Sequence, residues 1–160
     1  MIACKTEPGL QICSFNLNES GIAFAIPFFI KERVTFMSNG KKTWYIADGY
    51  LPHKGEVKDS GFEGHESIMF MNCNEQDANV FIDLYFEDKP PIKDIKLVVG
   101  AERVKSIRLD NPDDIGGVKL DRQYQYSVRI RSDINIVVQY GRMDLAQPNL
   151  AYMSLMGYSE

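Results

Sequence analysis

Residues 79–86 read Asn-Val-Phe-Ile-Asp-Leu-Tyr-Phe, and this stretch decides the fold. Val80, Ile82, Leu84 and Phe86 alternate with Phe81, Asp83 and Tyr85, the period of a half-buried β-strand. Glu87-Asp88-Lys89-Pro90-Pro91 ends it, because proline cannot donate to a ladder. Outward from this strand the same grammar repeats. Thr43–Ala47 is β-rich and is broken by Asp48-Gly49-Tyr50-Leu51-Pro52. A loop rich in glycine and charge runs to Gly64, and Glu66–Cys73 follows, ending in a turn at Asn74–Asp77. Ile95–Val99 and Arg103–Leu109 read as a hairpin around Gly100-Ala101, and Asp110–Gly117 as a loop. Tyr124–Arg131 and Ile134–Tyr140 flank Ser132-Asp133, read as a second tight connection, and Leu150–Met156 is a last strand. No ten-residue stretch keeps a helical period. About eight short antiparallel strands without helices predict an all-β domain, a sandwich or a barrel.

The chain has 160 residues, enough for one domain and hardly two. Apolar residues at 44% provide a core and exclude a disordered chain. The net charge of -4 argues against a nucleic-acid partner, since phosphate binding rests on Lys and Arg. Three cysteines, Cys4, Cys13 and Cys73, are too few for a disulfide scaffold and predict a reducing, cytoplasmic location. The longest apolar run, Gly21–Ile30, is ten residues with a proline inside, against about 20 for a membrane span. No direct membrane insertion is therefore expected.

Residues 1–36 form an extension of different character from residues 37–160. Lys31-Glu32-Arg33 is what a purine-rich ribosome-binding sequence encodes when read in frame, a few codons before Met37. The preferred expectation is a natural start at Met37. The alternative is a genuine extension adding a strand through Ala23–Ile30.

The polar residues exclude several chemistries. His53 and His65 provide no convergent metal site, so neither a metal nor a cofactor is expected. No phosphate-cradling glycine motif is present, and Gly116-Gly117 reads as a turn. Cys73 with His65 carries no nucleophile signature, and Cys73 reads as a small core residue. Glu66, Asp48 and Asp144 are the carboxylates that would serve a carbohydrate-active enzyme, if they converge.

More informative are polar residues set inside apolar strands. Glu66 shares a face with Ile68, Phe70 and Asn72; Gln139 follows Ile136-Val137-Val138; Arg142 shares parity with Val138 and Tyr140, and Arg108 with Val104 and Ser106. Buried polar groups need partners. Two readings stay open. Glu66, Arg108 and Arg142 pair with one another in the sheet, or they converge at one end with Trp44 as a flat wall and bind a polar ligand such as a sugar.

Trp44-Tyr45-Ile46-Ala47-Asp48-Gly49-Tyr50-Leu51-Pro52 resembles the opening motif of the sensory rhodopsin transducer family. His65-Glu66-Ser67 with Asn72 resembles its second motif, and Arg103 and Arg108 its third. Residues 126–133 leading to Ile136-Val137-Val138-Gln139-Tyr140-Gly141-Arg142-Met143-Asp144 resemble its last. Asn135 departs from the pattern, which has proline there, and residues 1–36 have no counterpart. The resemblance implies a single cytoplasmic β-sandwich, assembled as a homotetramer, that is a binding protein with no catalytic residues. It implies a small polar ligand, a sugar or related metabolite, held by Trp44, Glu66, Asn72, Arg108, Gln139 and Arg142, with Asp48 and Asp144 also at motif positions. A membrane receptor partner is the alternative that the family name suggests.

Overall fold

The computed structural model describes residues 2–7, 10–15, 39–55, 57, 59–146 and 151–160. The chain divides into two units, residues 1–36 and 37–160. In the first, β1 (Ile2–Glu7) and β2 (Leu10–Phe15) pair antiparallel, with Cys4 opposite Cys13. The alternative strand through Ala23–Ile30 lies outside the described residues.

The second unit holds β3 (Lys41–Tyr50), β4 (His65–Asn72), β5 (Ala78–Phe86), β6 (Ile92–Val99), β7 (Arg103–Arg108), β8 (Gln125–Asp144), β9 (Ala151–Met156) and β10 (Tyr158–Ser159). One 3-10 turn, Pro112–Ile115, interrupts the loop after β7. The predicted all-β class is the observed one. All pairings are antiparallel.

The expected break at Ser132-Asp133 does not exist. β8 is one strand of 20 residues, and it serves two ladders. Through Ile136 it pairs with β3 and β5; from Val137 onward it pairs with β4 and β9. Tyr126, Val128, Ile130, Ser132, Ile136, Val138 and Tyr140 are buried, so one parity faces the core along nearly the whole strand. Asp133 lies on the other parity and accepts from the Asn79 N–H (2.9 Å) and Asn79 Nδ2 (2.7 Å), tying down the start of β5. Its polarity marks a cross-strand anchor rather than a turn.

The expected hairpin at Gly100-Ala101 is also corrected. β6 pairs with β5, and β7 pairs with β4, so residues 100–102 arch from one ladder to the other. Side chains hold the arch. Asn72 Nδ2 donates to the carbonyls of Val99 (3.2 Å) and Gly100 (3.1 Å), and Asp77 accepts from the Ala101 N–H (2.8 Å). Cys73 is exposed just beyond β4, not a core residue as expected.

The core is one cluster drawn from every strand from β3 to β8, with Phe70, Ile82, Leu84, Ile107, Ile130 and Tyr140 among its most buried members. Each such aliphatic or aromatic side chain contributes about 1.5–3 kcal/mol when fully buried. Where β8 changes ladders, Trp44 is 5% exposed, and its Nε1 donates to the carbonyls of Lys41 (3.1 Å) and Ile136 (3.2 Å). Gly40 closes the same corner with φ +88°, and a Cβ there would lie 2.1 Å from the Ile136 oxygen.

Gly40→Ala is therefore expected to cost about 2 kcal/mol or more, a drop of several degrees in the thermal midpoint. Gly100→Ala, whose Cβ would meet nothing closer than 3.4 Å, is the control and should stay within about 1 kcal/mol of the parent in the same melts.

Candidate functional site

Six side chains were expected to converge. The structure gathers three of them, Glu66, Arg108 and Arg142, at one end of the sheet. β4 carries Glu66 at its second position, paired with Arg142 of β8, while Ser67 pairs with Arg108 of β7. Alternation then puts Glu66 and Arg142 on the core-side face and Arg108 on the outer face.

Glu66 is fully buried. Its Oε1 accepts from the Tyr50 N–H (2.7 Å) and the Tyr140 hydroxyl, and its Oε2 accepts from the Tyr126 hydroxyl. It does not pair with either arginine. Burial pushes its pKa above the usual carboxyl value, and the two tyrosines, the Tyr50 N–H and the Arg142 charge only partly offset that. The same burial, with the Glu66 charge, pushes both tyrosines up. Arg142 lies with its guanidinium carbon 5.9 Å from the Tyr50 ring centre.

On the outer side Arg108 grips Asp110 with a fork, Nε to Oδ1 at 2.9 Å and Nη2 to Oδ2 at 2.8 Å. The same Nη2 reaches Glu63 Oε1 at 2.7 Å. Arg122 joins Asp110 (2.9 Å) and donates through Nη1 to the carbonyls of Pro52 and Gly64, both at 2.8 Å. Lys54 Nζ lies 3.2 Å from Glu63 Oε2. Hydrogen bonds from Arg108 and Lys54 hold Glu63 below the usual carboxylate range. Burial pushes Asp110 up, but the arginines more than reverse it, leaving it lowered.

This network borders a cavity of about 400 Å³ lined by Lys54, Gly55, Gly61, Phe62 and Glu63. Phe62 is 48% exposed, an aromatic face in an otherwise polar wall. The sequence reading named none of these five residues. The available signal was the lone aromatic within the glycine- and charge-rich loop.

The other three candidates lie elsewhere. Trp44 is enclosed at the β8 corner, with no open ring face to serve as a wall. Asn72 lies six residues from Glu66 along β4, about 20 Å away at the strand rise. Its amide is engaged by Gln76, Val99, Gly100 and Asn74. Gln139 sits on the outer face and donates to Ser154 Oγ (3.2 Å). The other two carboxylates named from the sequence have partners of their own. Asp48 accepts from Gln125 Nε2 (3.0 Å), and Asp144 caps the Ala146 N–H (2.8 Å). His65 and Cys73 are eight residues apart along and beyond β4, about 26 Å at the strand rise.

The raised Glu66 pKa fixes the sign of one pH effect. Its contribution to stability is fully present below its unfolded value, near 4.5, and is lost as pH rises through the higher folded value. Denaturant titrations of the parent and Glu66→Gln across this range should show that loss in the parent and not in the variant. A constant difference between the two would contradict the assignment. Asn72→Ala orphans three carbonyls and the Asn74 donors, and is expected to cost about 3 kcal/mol in the same titrations.

The model of the family described as Anabaena sensory rhodopsin transducer matches residues 39–159. A crystal structure of Thermotoga maritima 1070 superposes with a TM-score of 0.66 at 26% identity, covering 76% of this chain and 97% of that one. The Anabaena sensory rhodopsin transducer superposes with a TM-score of 0.57 at 33% identity, covering 66% of this chain and 90% of that one. No curated protein matches the chain. With its second unit matched almost end to end, the chain belongs to the Anabaena sensory rhodopsin transducer family.

Proposed function

We propose that this chain is a non-enzymatic signalling module of the transducer family that binds a small polar metabolite, a sugar or sugar acid, in the cavity beside Arg108. The observation that carries the reading is the lining itself. Phe62 offers a face for C–H groups, Lys54 an exposed ammonium paired with Glu63, and Glu63 a carboxylate held in place by Arg108 and Lys54. Arg108 acts here as a positioning residue, because its fork is engaged by Asp110 and Glu63. Trp44, Glu66 and Asn72 hold the frame. A role for Glu66 in turnover has little support, since the carboxylate is fully buried and both oxygens are bonded within the protein.

The working location in this reading is the cytoplasm, and the working assembly is a homotetramer. β9 supports self-association. Among the described residues it pairs with β8 alone, and Tyr152, Met153, Leu155 and Met156 are all more than a third exposed. Ligand binding signals if it favours one arrangement of the assembly by differential affinity. A second reading, coupling to a membrane receptor, is favoured by the name of the 33% identical Anabaena protein. No helix among the described residues is long and apolar enough to cross a membrane.

The test is a thermal-shift screen of the full chain against sugars, sugar acids and polyols. A ligand at 100 times its Kd adds about 2.7 kcal/mol, a rise of a few degrees. Phe62→Ala and Lys54→Ala, both on the surface, should abolish the shift while leaving the ligand-free midpoint nearly unchanged. A shift that persists in both variants places the ligand elsewhere. Silence across the panel favours the receptor reading, and chemical conversion of a bound sugar would make the protein an enzyme.

A further inference from the structure

The end of the first ladder carries a second constellation that shares no residue with the loop cavity. Along β5 the inward parity runs Val80, Ile82, Leu84, Phe86, and Phe86 pairs with Tyr126 of β8. Phe86 packs against the core but is only half-buried, because the ladder runs out there. Tyr124 lies two residues before Tyr126 and stands beside Phe86, with ring centres 6.4 Å apart and planes tilted by 39°. The chain then brings a cation back to the pair. Lys89, three residues past Phe86, places its Nζ 4.4 Å from the Phe86 ring centre and 5.1 Å from that of Tyr124. These three distances set the rings nearly at a right angle as seen from the ammonium, as two walls of a corner.

Carboxylates rim this corner. Tyr124 donates its hydroxyl to Asp88 Oδ1, and that hydrogen bond, with the Asp88 and Glu87 charges, pushes the hydroxyl up to about 12. The ring therefore stays a neutral phenol with an electron-rich face. Asp121 Oδ2 lies 3.4 Å from Lys89 Nζ. Glu87, Asp88 and Asp121 outnumber Lys89, so these four residues leave a surplus of negative charge. Lys89 itself fits loosely. A primary ammonium is strongly hydrated and carries three N–H donors. Its carboxylate contact is longer than the roughly 2.7–2.9 Å of a charge-assisted bond, and its side chain is 40% exposed. An exposed pair of this kind is weak.

Two aromatic faces around a cation, with acidic groups at the rim, select quaternary ammonium groups. Such a group has no N–H to satisfy, so ring faces and charge alone hold it. Separations of 4.4 and 5.1 Å between nitrogen and ring centre leave space for a layer of methyl groups. The acidic rim disfavours a ligand that brings a carboxylate of its own. We propose that Phe86 and Tyr124 form a binding site for a small quaternary ammonium compound of the choline type, with Lys89 as its built-in competitor. Lys89 is tethered beside the rings and occupies the cation position until a better-matched cation displaces it.

The probes are choline and tetramethylammonium, titrated into the full chain to about 50 mM at constant ionic strength, well above a Kd in the millimolar range. Betaine, which adds a carboxylate, and 3,3-dimethyl-1-butanol, the uncharged isostere of choline, are the comparisons. The readout is the ring resonances of Phe86 and Tyr124 and the amide of Lys89. Choline and tetramethylammonium should shift all three. Betaine should bind about threefold more weakly or worse, and the isostere should leave the resonances in place. Lys89→Gln should lower the apparent Kd of choline about threefold or more, because the open fraction of the site rises. Tyr124→Leu should raise it about tenfold. The isostere and Lys89→Gln arms keep both rings, so they decide even if Tyr124→Leu does not fold. An isostere response equal to that of choline would make the corner a plain apolar patch and overturn the proposal. A choline Kd that is unchanged or raised in Lys89→Gln, or shifts confined to Lys54 and Phe62, would overturn it as well.

Discussion

A single carboxylate, Glu66, ties together the strands on which the rest of the domain depends. It takes one N–H from the end of β3 and one hydroxyl from each half of β8, while itself belonging to β4. Both ladders meet at this point. The cost is the desolvation of a charge, and the raised pKa says that burial outweighs the three donors. An apolar replacement would orphan two buried hydroxyls and an N–H, so carboxylate and tyrosines form a unit that stands or falls together. Tyr50 and His65 are also the two feet of the loop that carries the cavity. The anchor inside the sheet therefore sets where Lys54, Phe62 and Glu63 stand outside it.

β8 is the second constraint. A 20-residue strand that keeps one parity inward while changing partners gives a single core and two outer faces of different character. The face of the first ladder is aromatic and charged, organised by Asp83 and its arginines. On the second ladder, Met71, Val104, Tyr152 and Met156 are exposed, an apolar face with Gln139 in its middle and Arg108 on its β7 edge. One strand thus puts charged and aromatic side chains on one side and apolar surface on the other. The corner between them is held by the Trp44 N–H and the close approach of Gly40 to Ile136.

The candidate sites were only partly legible in the sequence. Glu66 was readable, because a carboxylate at a core parity among Ile68 and Phe70 must have partners. Which partners was not, since Tyr126 and Tyr140 are 60 and 74 residues away. Trp44 and Asn72 occur in motifs beside Glu66, yet one closes a corner and the other holds the arch after β6. Adjacency in a motif does not distinguish a frame residue from a contact residue. Phe62 and Glu63 carry no strand period, and Phe86, Lys89 and Tyr124 read as a strand end, a loop cation and a strand start until the fold sets them side by side.

What the sequence by itself determined is the class and spacing of the strands, because period-two burial and proline or glycine breaks are local properties. The family motifs determined the order in which those strands build a domain. Only the tertiary structure decided that Ser132-Asp133 continues a strand, that Gly100-Ala101 joins two ladders, and which polar side chains meet. Those outcomes depend on hydrogen bonds between residues distant in the chain. The local sequence is compatible with either result, and the partner across the sheet selects one.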